Sequence, residues 1–164
     1  MFKGIVTWME ASWIGVAGRD IYWFFPAAEV VHFFGLCLLL GSIIIIDLRV
    51  LGFAKKIPLE ASLKLIPVAI FGLVLNLLSG IVFLCTYPEN YFPAAAFQLK
   101  MLAIVIGGLN AFWFKWVETP KLAGVSDIAD VGFSAKFSAL LSLSIWLLVI
   151  VIGRFLPYVS FSSS

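Results

Sequence analysis

Four long runs of apolar residues, separated by short polar segments, dominate the pattern of this chain. They cover about 24–46, 65–86, 97–116 and 137–153. Each is close to the length of roughly 20 residues that an α-helix needs to cross the hydrocarbon core of a bilayer. Continuous apolar runs also differ from the short alternating segments of an outer-membrane barrel. The pattern therefore predicts an all-α protein, built as a bundle of four transmembrane helices.

A shorter segment before the first run has a different pattern. Within 2–18, apolar residues recur at roughly helical spacing, at Ile5, Trp8, Met9, Trp13 and Val16. This spacing predicts an amphipathic helix, which lies either on the outer membrane surface or packed over the bundle. Since little else remains for a soluble domain, we predict a single integral membrane domain over residues 1–164.

The composition agrees with this prediction. Of the 164 residues, 63% are hydrophobic and only 12% are charged, and the mean hydropathy is +1.11. A soluble domain of this size could not cover so much apolar surface. The net charge of +2 comes from scattered residues, which gives no basic face for nucleic acid. The lipid bilayer is therefore the expected surrounding of the protein.

The basic residues predict an orientation. They concentrate in the linker after the first run and around the linker after the third, whereas the linker 87–96 has none. The two basic groups are Arg49, Lys55, Lys56 and Lys64, and Lys115, Lys121 and Lys136. Basic residues on the other side are Lys3, Arg19, Lys100 and Arg154. The positive-inside rule places the two basic linkers in the cytoplasm. We therefore expect a protein of the bacterial inner membrane with periplasmic N- and C-termini.

Four ionisable residues are predicted to lie at the outer half of the membrane. The only histidine, His32, is six residues past Pro26 in the first run, which places it roughly 9 Å into the outer leaflet. Lys100 opens the third run at a depth of about 5 Å from the same side. Glu29 is one turn outward from His32, and Arg154 ends the fourth run on that side. Ionisable groups within a membrane mark functional sites, so these four are candidate binding residues.

The residues around His32 favour heme over other metal groups. Zinc requires more protein ligands than the chain offers here, and copper favours clusters of Met or Cys. Heme requires as few as one histidine, because the macrocycle supplies four ligands. Gly35, one turn inward on the same stripe, leaves room for a flat ligand or for a closely packed helix. We therefore predict heme b with His32 as an axial ligand of the iron.

The sequence does not identify the second axial ligand of this heme. It is empty, filled by Lys100, or filled by a residue of a neighbouring protomer. With one histidine in the chain, a bis-histidine heme requires a second copy, in a symmetric dimer or ring. A homo-oligomer is therefore expected.

Other polar residues in the runs favour structural roles. Asn76 and Asn110 are predicted to form hydrogen bonds across helices. Asp47 and Arg49, at the cytoplasmic end of the first run, are interpreted as an interfacial charge pair. Three serines spaced by four residues are interpreted as a packing stripe; they are Ser134, Ser138 and Ser142.

Several motifs resemble an uncharacterised bacterial family of four-helix membrane proteins. They are HFFGLCLLLG at 32–41, DLRVLG at 47–52 and FQLKM at 97–101, and the resemblance covers about 23–157. More distantly, the histidine of the first run and the lysine opening the third resemble HemJ-type protoporphyrinogen oxidases and, more loosely, CopD-like membrane proteins. The HemJ resemblance implies an oligomeric four-helix protein that binds heme b. It matches His32 to the heme-ligating histidine and Lys100 to an essential lysine.

Three functions remain after these observations. The first is a heme b protein in redox or electron transfer chemistry, a membrane oxidoreductase if it is an enzyme. Lys100, Glu29 or Arg154 then pair with heme propionates or a substrate carboxylate, and a quinone or a periplasmic protein is the electron partner. The second is an accessory or structural subunit of a larger complex. The third is a transporter of small ions such as copper, which the lack of a detectable inverted repeat disfavours.

Overall fold

The computed structural model describes residues 2–125 and 131–160, and this part of the chain is helical, with no strand. The helices are α1 (Phe2–Ala11), α2 (Trp13–Asp20), α3 (Phe24–Leu51), α4 (Leu59–Leu63), α5 (Ile66–Thr86), α6 (Pro88–Tyr91), α7 (Ala95–Trp113), α8 (Thr119–Leu122) and α9 (Phe133–Ser160). A π-helical turn, Phe114–Glu118, joins α7 to α8. The predicted all-α fold class is confirmed.

Four helical stretches are long and apolar enough to cross a membrane. They are Phe24–Leu51, Leu59–Thr86, Ala95–Leu122 and Phe133–Leu156. Each predicted run lies inside one of these stretches. The first ends at Gly52, whose φ of 94° closes α3 in the left-handed conformation that glycine adopts without steric cost. The third continues through the π-helical turn into α8, which extends it beyond the predicted boundary.

The four long helices form an open arrangement rather than a closed square. The most extensive packing is between α3 and α5, followed by α7 with α9 and by α3 with α9. Between α5 and α7 there is at most slight direct contact. Helices α3 and α9 therefore form the middle of the bundle, with α5 and α7 at its flanks.

Two clusters of buried apolar side chains hold the bundle together. One lies where α3, the π-helical turn and the start of α9 meet, and includes Ile46, Val50, Leu59, Phe114, Leu122, Val131, Ala135 and Ala139. The other joins α3, α5, α7 and α9 further along, and includes Leu39, Ile43, Ala69, Ala103, Ile145, Trp146 and Val149. Much of the remaining helix surface is apolar and exposed, as expected for a surface that faces lipid tails.

The amphipathic segment at the start of the chain forms two helices rather than the single helix predicted over 2–18. Ser12 separates them and caps α2, because its hydroxyl oxygen accepts from the backbone N–H of Gly15 at 3.1 Å. Helix α2 packs on the outer end of α5, where Arg19 Nη1 donates to the Thr86 carbonyl at 3.1 Å. Large apolar side chains of this segment remain exposed; they are Ile5, Trp8, Trp13 and Val16.

The predicted charge pair between Asp47 and Arg49 is wrong. In residues 2–125 and 131–160, no ion pair joins the two side chains. Residues two positions apart on a helix point to different faces and do not meet. Arg49 instead donates from Nε to the backbone carbonyl of Ile57. This bond ties the linker after α3 to the end of that helix.

Candidate functional site

His32 lies at the interface between α3 and α5, where a serine of α5 holds its ring. The Nδ1 atom of His32 and the Oγ atom of Ser79 are 2.8 Å apart. Ser79 is 3% exposed, whereas His32 is half-buried. One edge of the imidazole is therefore fixed inside the bundle, and the ring extends from there towards the bundle surface.

The hydrogen bonds of Ser79 favour one tautomer of His32. The Ser79 hydroxyl is 2.7 Å from the carbonyl of Leu75, one turn earlier on α5, and 3.2 Å from that of Asn76. A hydroxyl has one hydrogen to donate. When it donates to either carbonyl, Ser79 Oγ accepts from His32 Nδ1–H. In the neutral imidazole this leaves the lone pair on Nε2, the nitrogen that is free to bind a metal.

Aromatic rings surround the outer side of this imidazole. The ring of Phe83, one turn outward from Ser79 on α5, is 5.1 Å from the His32 ring, centroid to centroid. Phe25 lies 5.3 Å from Phe83 and 5.7 Å from Tyr87. Aromatic rings therefore lie between the His32 imidazole and the C-terminal end of α5.

Gly35 serves the close approach of two helices, one of the two uses that the sequence left open. A Cβ atom at Gly35 would lie 2.9 Å from the Gly72 carbonyl and 2.8 Å from Leu75 Cβ. A Cβ atom at Gly72 would lie 2.6 Å from the backbone nitrogen of Leu39. The space beside Gly35 is therefore occupied by α5, and a flat ligand of His32 has to lie on the other side of the ring.

Lys100 is the second charged residue of the site. Its Nζ lies against Gly153 of α9, at 3.2 Å from the position of a Cβ there. Lys100 is half-buried and near enough to His32 to act on it electrostatically. Among the described residues, no hydrogen bond or ion pair engages the Lys100 ammonium. The structure thus brings His32 and Lys100 together, and the exposed Arg154 follows Gly153 directly.

Glu29 lies one turn before His32 on α3. It is exposed on α3 and acts electrostatically on Tyr91 of α6. Burial of the Tyr91 phenol, together with the charges of Glu29 and Tyr87, raises its pKa above the usual value. Glu29 therefore lies near both His32 and Tyr91 of α6.

The two asparagines differ in their hydrogen bonds. Asn110 bonds across helices as predicted, because its Nδ2 donates to the Ser138 carbonyl at 3.0 Å and its Oδ1 accepts from the Ser138 hydroxyl at 2.9 Å. For Asn76 the prediction is wrong, since its Nδ2 donates to the Gly72 carbonyl of its own helix at 2.9 Å. Asn76 nonetheless packs against Gly35 and so lies beside the site.

Sequence reasoning missed two buried residues whose side chains form hydrogen bonds, Ser79 and Glu118. Ser79 is seven residues before Thr86, the end of α5, so its depth of about 10 Å nearly equals that of His32. Matching depths on neighbouring helices was the signal that could have identified it. Glu118 gave no such signal. It is 2% exposed at the π-helical turn, and it accepts from Trp113, Lys121 and Ser134.

No cluster of three or more His, Cys, Asp or Glu residues able to hold a metal ion occurs in the described ranges. Among the described residues, a metal at His32 therefore has at most two ligands of these types, or it is bound as part of a group that supplies its own ligands. The two cysteines are both free thiols, and they differ in exposure, since Cys37 is exposed and Cys85 is buried.

A family model matches almost the whole chain. Residues 5–161 match DUF6644, a family of unknown function, and the chain belongs to this family. No curated protein and no solved structure matches the chain. The arrangement of side chains around His32 therefore has to carry the functional argument.

Proposed function

We propose that this protein is a heme b-binding integral membrane protein with a role in redox or electron transfer chemistry. His32 Nε2 is the axial ligand of the heme iron in this proposal. The site lies in the outer half of the bacterial inner membrane, and both chain termini face the periplasm. When bound, heme supplies one-electron chemistry, and the potential depends on the axial ligand and on burial.

The hydrogen bond between His32 and Ser79 is the observation that carries this proposal. Histidines that bind metals nearly always donate their second ring N–H to a fixed acceptor, which orients the ring and sets the tautomer. Ser79 supplies such an acceptor at 2.8 Å. A histidine that only filled space between helices would have no need of a free Nε2 at membrane depth, where unpartnered polar atoms are costly.

Lys100 adds a charge that fits the same group. An ammonium within a membrane segment usually pairs with an opposite charge or with backbone carbonyls, and the described residues provide no ion pair for Lys100. A heme propionate is an anion that would lie within reach of a cation next to the axial ligand. The exposed Arg154, beside Gly153 on α9, lies on the same side of the bundle. Lys100 therefore orients the group, and His32 binds it.

The packing of Gly35 limits where heme can lie. Helix α5 fills the inner side of the imidazole, so the macrocycle must lie on the outward side, against the exposed face of α3. Its second face is then open to another copy of the chain. We therefore propose a homo-oligomer in which the second axial position is empty, filled by Lys100, or filled by His32 of another protomer.

The remaining parts of the proposal rest on the sequence. The likeness of His32 and Lys100 to HemJ-type proteins favours heme b, although the comparisons give only the DUF6644 match. The basic linkers favour cytoplasmic loops and periplasmic termini; residues 161–164 lie outside the described part. The electron partner is a quinone in the bilayer or a periplasmic protein.

The test is the oxidised-minus-reduced visible spectrum of protein purified in detergent from heme-replete cells. We expect a b-type spectrum with about one heme per one or two chains, lost in His32→Ala and partly restored by added imidazole. Restoration by imidazole separates the loss of a ligand from the loss of the fold. A wild-type protein without heme would overturn the proposal and favour an accessory subunit or a small-ion transporter. A spectrum unchanged in His32→Ala would overturn the ligand assignment.

A further inference from the structure

A second, separate cleft lies in the other half of the bundle. It has a volume of about 250 Å³. Asp47, at its inner end, is 15 residues after His32 on α3, so the two are about 22 Å apart along the helix axis. Helices α5 and α7 form the walls, and α3 and α9 form the floor. Because α5 and α7 have at most slight contact, the cleft opens sideways to the bilayer.

Two buried polar atoms in this cleft have no partner. The Oδ2 atom of Asp47 and the Nε1 atom of Trp146 make no hydrogen bond to any described residue. Asp47 is 4% exposed and Trp146 is 3% exposed, and both line the cleft. Two other polar residues of the lining, Asn110 and Ser138, bond each other, whereas Arg49 Nη1, which also has no partner, lies outside the lining. Unpartnered buried polar atoms are rare in proteins and call for a ligand or an ordered water.

The chemistry of the two atoms restricts what can bind between them. The indole N–H only donates, and a carboxylate oxygen only accepts. A hydroxyl group suits either atom, because it can accept from the indole N–H of Trp146 and donate to the carboxylate of Asp47. The lining carries one acidic and one basic residue, Asp47 and Lys115, so its net charge does not favour an anionic ligand.

The walls restrict the rest of the molecule. Aromatic side chains line the cleft at Phe112, Phe114 and Trp116, and the aliphatic residues of α5 face them. Flat aromatic rings pack well between such side chains, and the opening between α5 and α7 lets an apolar tail remain in lipid. The ligand is therefore a flat ring with a hydroxyl group and a hydrocarbon tail.

We propose that this cleft binds the head group of a membrane-soluble hydroquinone. The ring enters between α5 and α7, one ring hydroxyl lies between Trp146 Nε1 and Asp47 Oδ2, and the tail stays in the bilayer. The cleft is distinct from the His32 site, and the proposal stands whether or not His32 binds heme.

Binding of decylubiquinol to the purified full-length protein under anaerobic conditions tests this proposal. We expect saturable binding, measured by calorimetric titration in detergent. Trp146→Phe should weaken it about 3- to 10-fold, the usual effect of losing one hydrogen bond. Because Trp146 N–H donates to no described residue, this variant loses no protein contact through the nitrogen. Asp47→Asn should also weaken binding, since the amide presents a donor beside the ligand hydroxyl.

Matched controls distinguish binding in this cleft from a general effect of tryptophan substitution and from non-specific binding of an amphiphile. Trp13→Phe changes an exposed tryptophan outside the cleft and should leave the affinity unchanged. None of the residues that line the cleft belongs to the His32 site, so the failure of the heme proposal does not affect this result. Dodecanol, which has a hydroxyl and a chain but no ring, should bind much more weakly. Equal binding of dodecanol, unchanged affinity in Trp146→Phe and Asp47→Asn, or no binding to the wild type would each overturn the proposal.

Discussion

The Ser79 hydroxyl and the His32 imidazole meet at 2.8 Å across the interface between α3 and α5. This is also the most extensive helix interface of the bundle, and it is closed one turn further in by Gly35 and Gly72. The ring orientation of His32 is therefore coupled to helix packing. A change that separates α3 from α5 should disturb the candidate ligand even without touching it.

Ser79→Ala should weaken heme binding without unfolding the protein. The substitution removes the acceptor of His32 Nδ1–H, so the ring loses its fixed tautomer and orientation. Loss of such a supporting partner typically costs 10- to 100-fold in metal affinity, and we expect an effect of about that size. Titration of heme into the apo-protein, followed by absorbance, measures it.

Ser144→Ala is the matched control for this experiment. Ser144 also donates to a carbonyl one turn earlier in a long helix, that of Leu140, at 2.9 Å. It is exposed and has no role at His32, so its removal should leave heme affinity unchanged. Equal affinities for the Ser79 and Ser144 variants would show that the hydroxyl of Ser79 does not position the ligand.

Lys100→Met should lower both heme affinity and the midpoint potential. A nearby positive charge stabilises the reduced form, which carries one more electron, and pairs with a propionate. Its removal should lower the potential by on the order of tens of millivolts. Redox titration of the purified protein measures the shift.

Lys115→Met provides the comparison, because this exposed lysine lies at the opposite end of the third membrane stretch, over the ring of Trp116. Its charge is about 22 Å further along the helix. We expect little change in potential. A Lys100 variant that titrates like the wild type would remove the lysine from the site.

The sequence predicted the four long helices because the membrane constraint is severe. A helix is the simplest way to satisfy backbone groups in lipid, so apolar length alone predicts α3, α5, α7 and α9. Counting residues from the same membrane surface predicted similar depths for His32 and Lys100, and the charge of Lys100 does act on His32.

Side-chain partners could not be predicted in this way. Whether Gly35 makes room for a ligand or for a helix depends on the rotation of α5, which places Gly72 opposite it. The low amphipathicity of uniformly apolar helices gives no signal for that rotation. Because the rotation of α5 was unknown, Ser79 was not identified as a partner of His32. For the same reason Asn76 was predicted to bond across helices, whereas its amide donates to a carbonyl of its own helix.

Glu118→Ala should destabilise the inner end of the bundle. The buried Glu118 Oε1 accepts from Ser134 Oγ at 2.8 Å, from Trp113 Nε1 at 3.2 Å and from Lys121 Nζ at 3.2 Å. Removing the Glu118 carboxylate leaves these donors without their acceptor. It also removes the hydrogen bond that joins Ser134 of α9 to the π-helical turn. Hydrogen bonds to charged groups contribute about 1.5–3 kcal/mol, and we expect a loss of that order in unfolding free energy.

Glu60→Ala is the control for the Glu118 variant. Its pair with Lys64 at 3.0 Å is largely exposed, with side-chain exposures of 84% and 74%. Exposed pairs contribute between zero and about 1 kcal/mol, so this variant should unfold close to the wild type. Denaturant unfolding in mixed micelles measures both. Equal stability of the two variants would mean that the Glu118 network does not hold the bundle.

Gly35→Ala should destabilise the protein, because the new Cβ has no space. It would lie 2.7 Å from Asn76 Nδ2, 2.8 Å from Leu75 Cβ and 2.9 Å from the Gly72 carbonyl. The Gly72 carbonyl is part of the α5 backbone and Leu75 Cβ is bonded to it, so neither atom can rotate away. Helix α3 therefore has to move away from α5. Overpacking of this kind costs about 1–3 kcal/mol, and the thermal unfolding temperature should fall accordingly.

Gly41→Ala tests whether this effect comes from packing rather than from the loss of a glycine. Gly41 is on the same helix, and a Cβ there meets nothing within 4 Å. Alanine is favoured over glycine within helices by up to about 1 kcal/mol, so this variant should be as stable as the wild type or slightly more stable.

The Gly35→Ala and Gly41→Ala variants should also differ in heme affinity. Separation of α3 from α5 lengthens the bond between His32 and Ser79, so Gly35→Ala should lose heme affinity while Gly41→Ala retains it. Stable, fully heme-loaded Gly35→Ala protein would contradict the close helix contact and its coupling to His32.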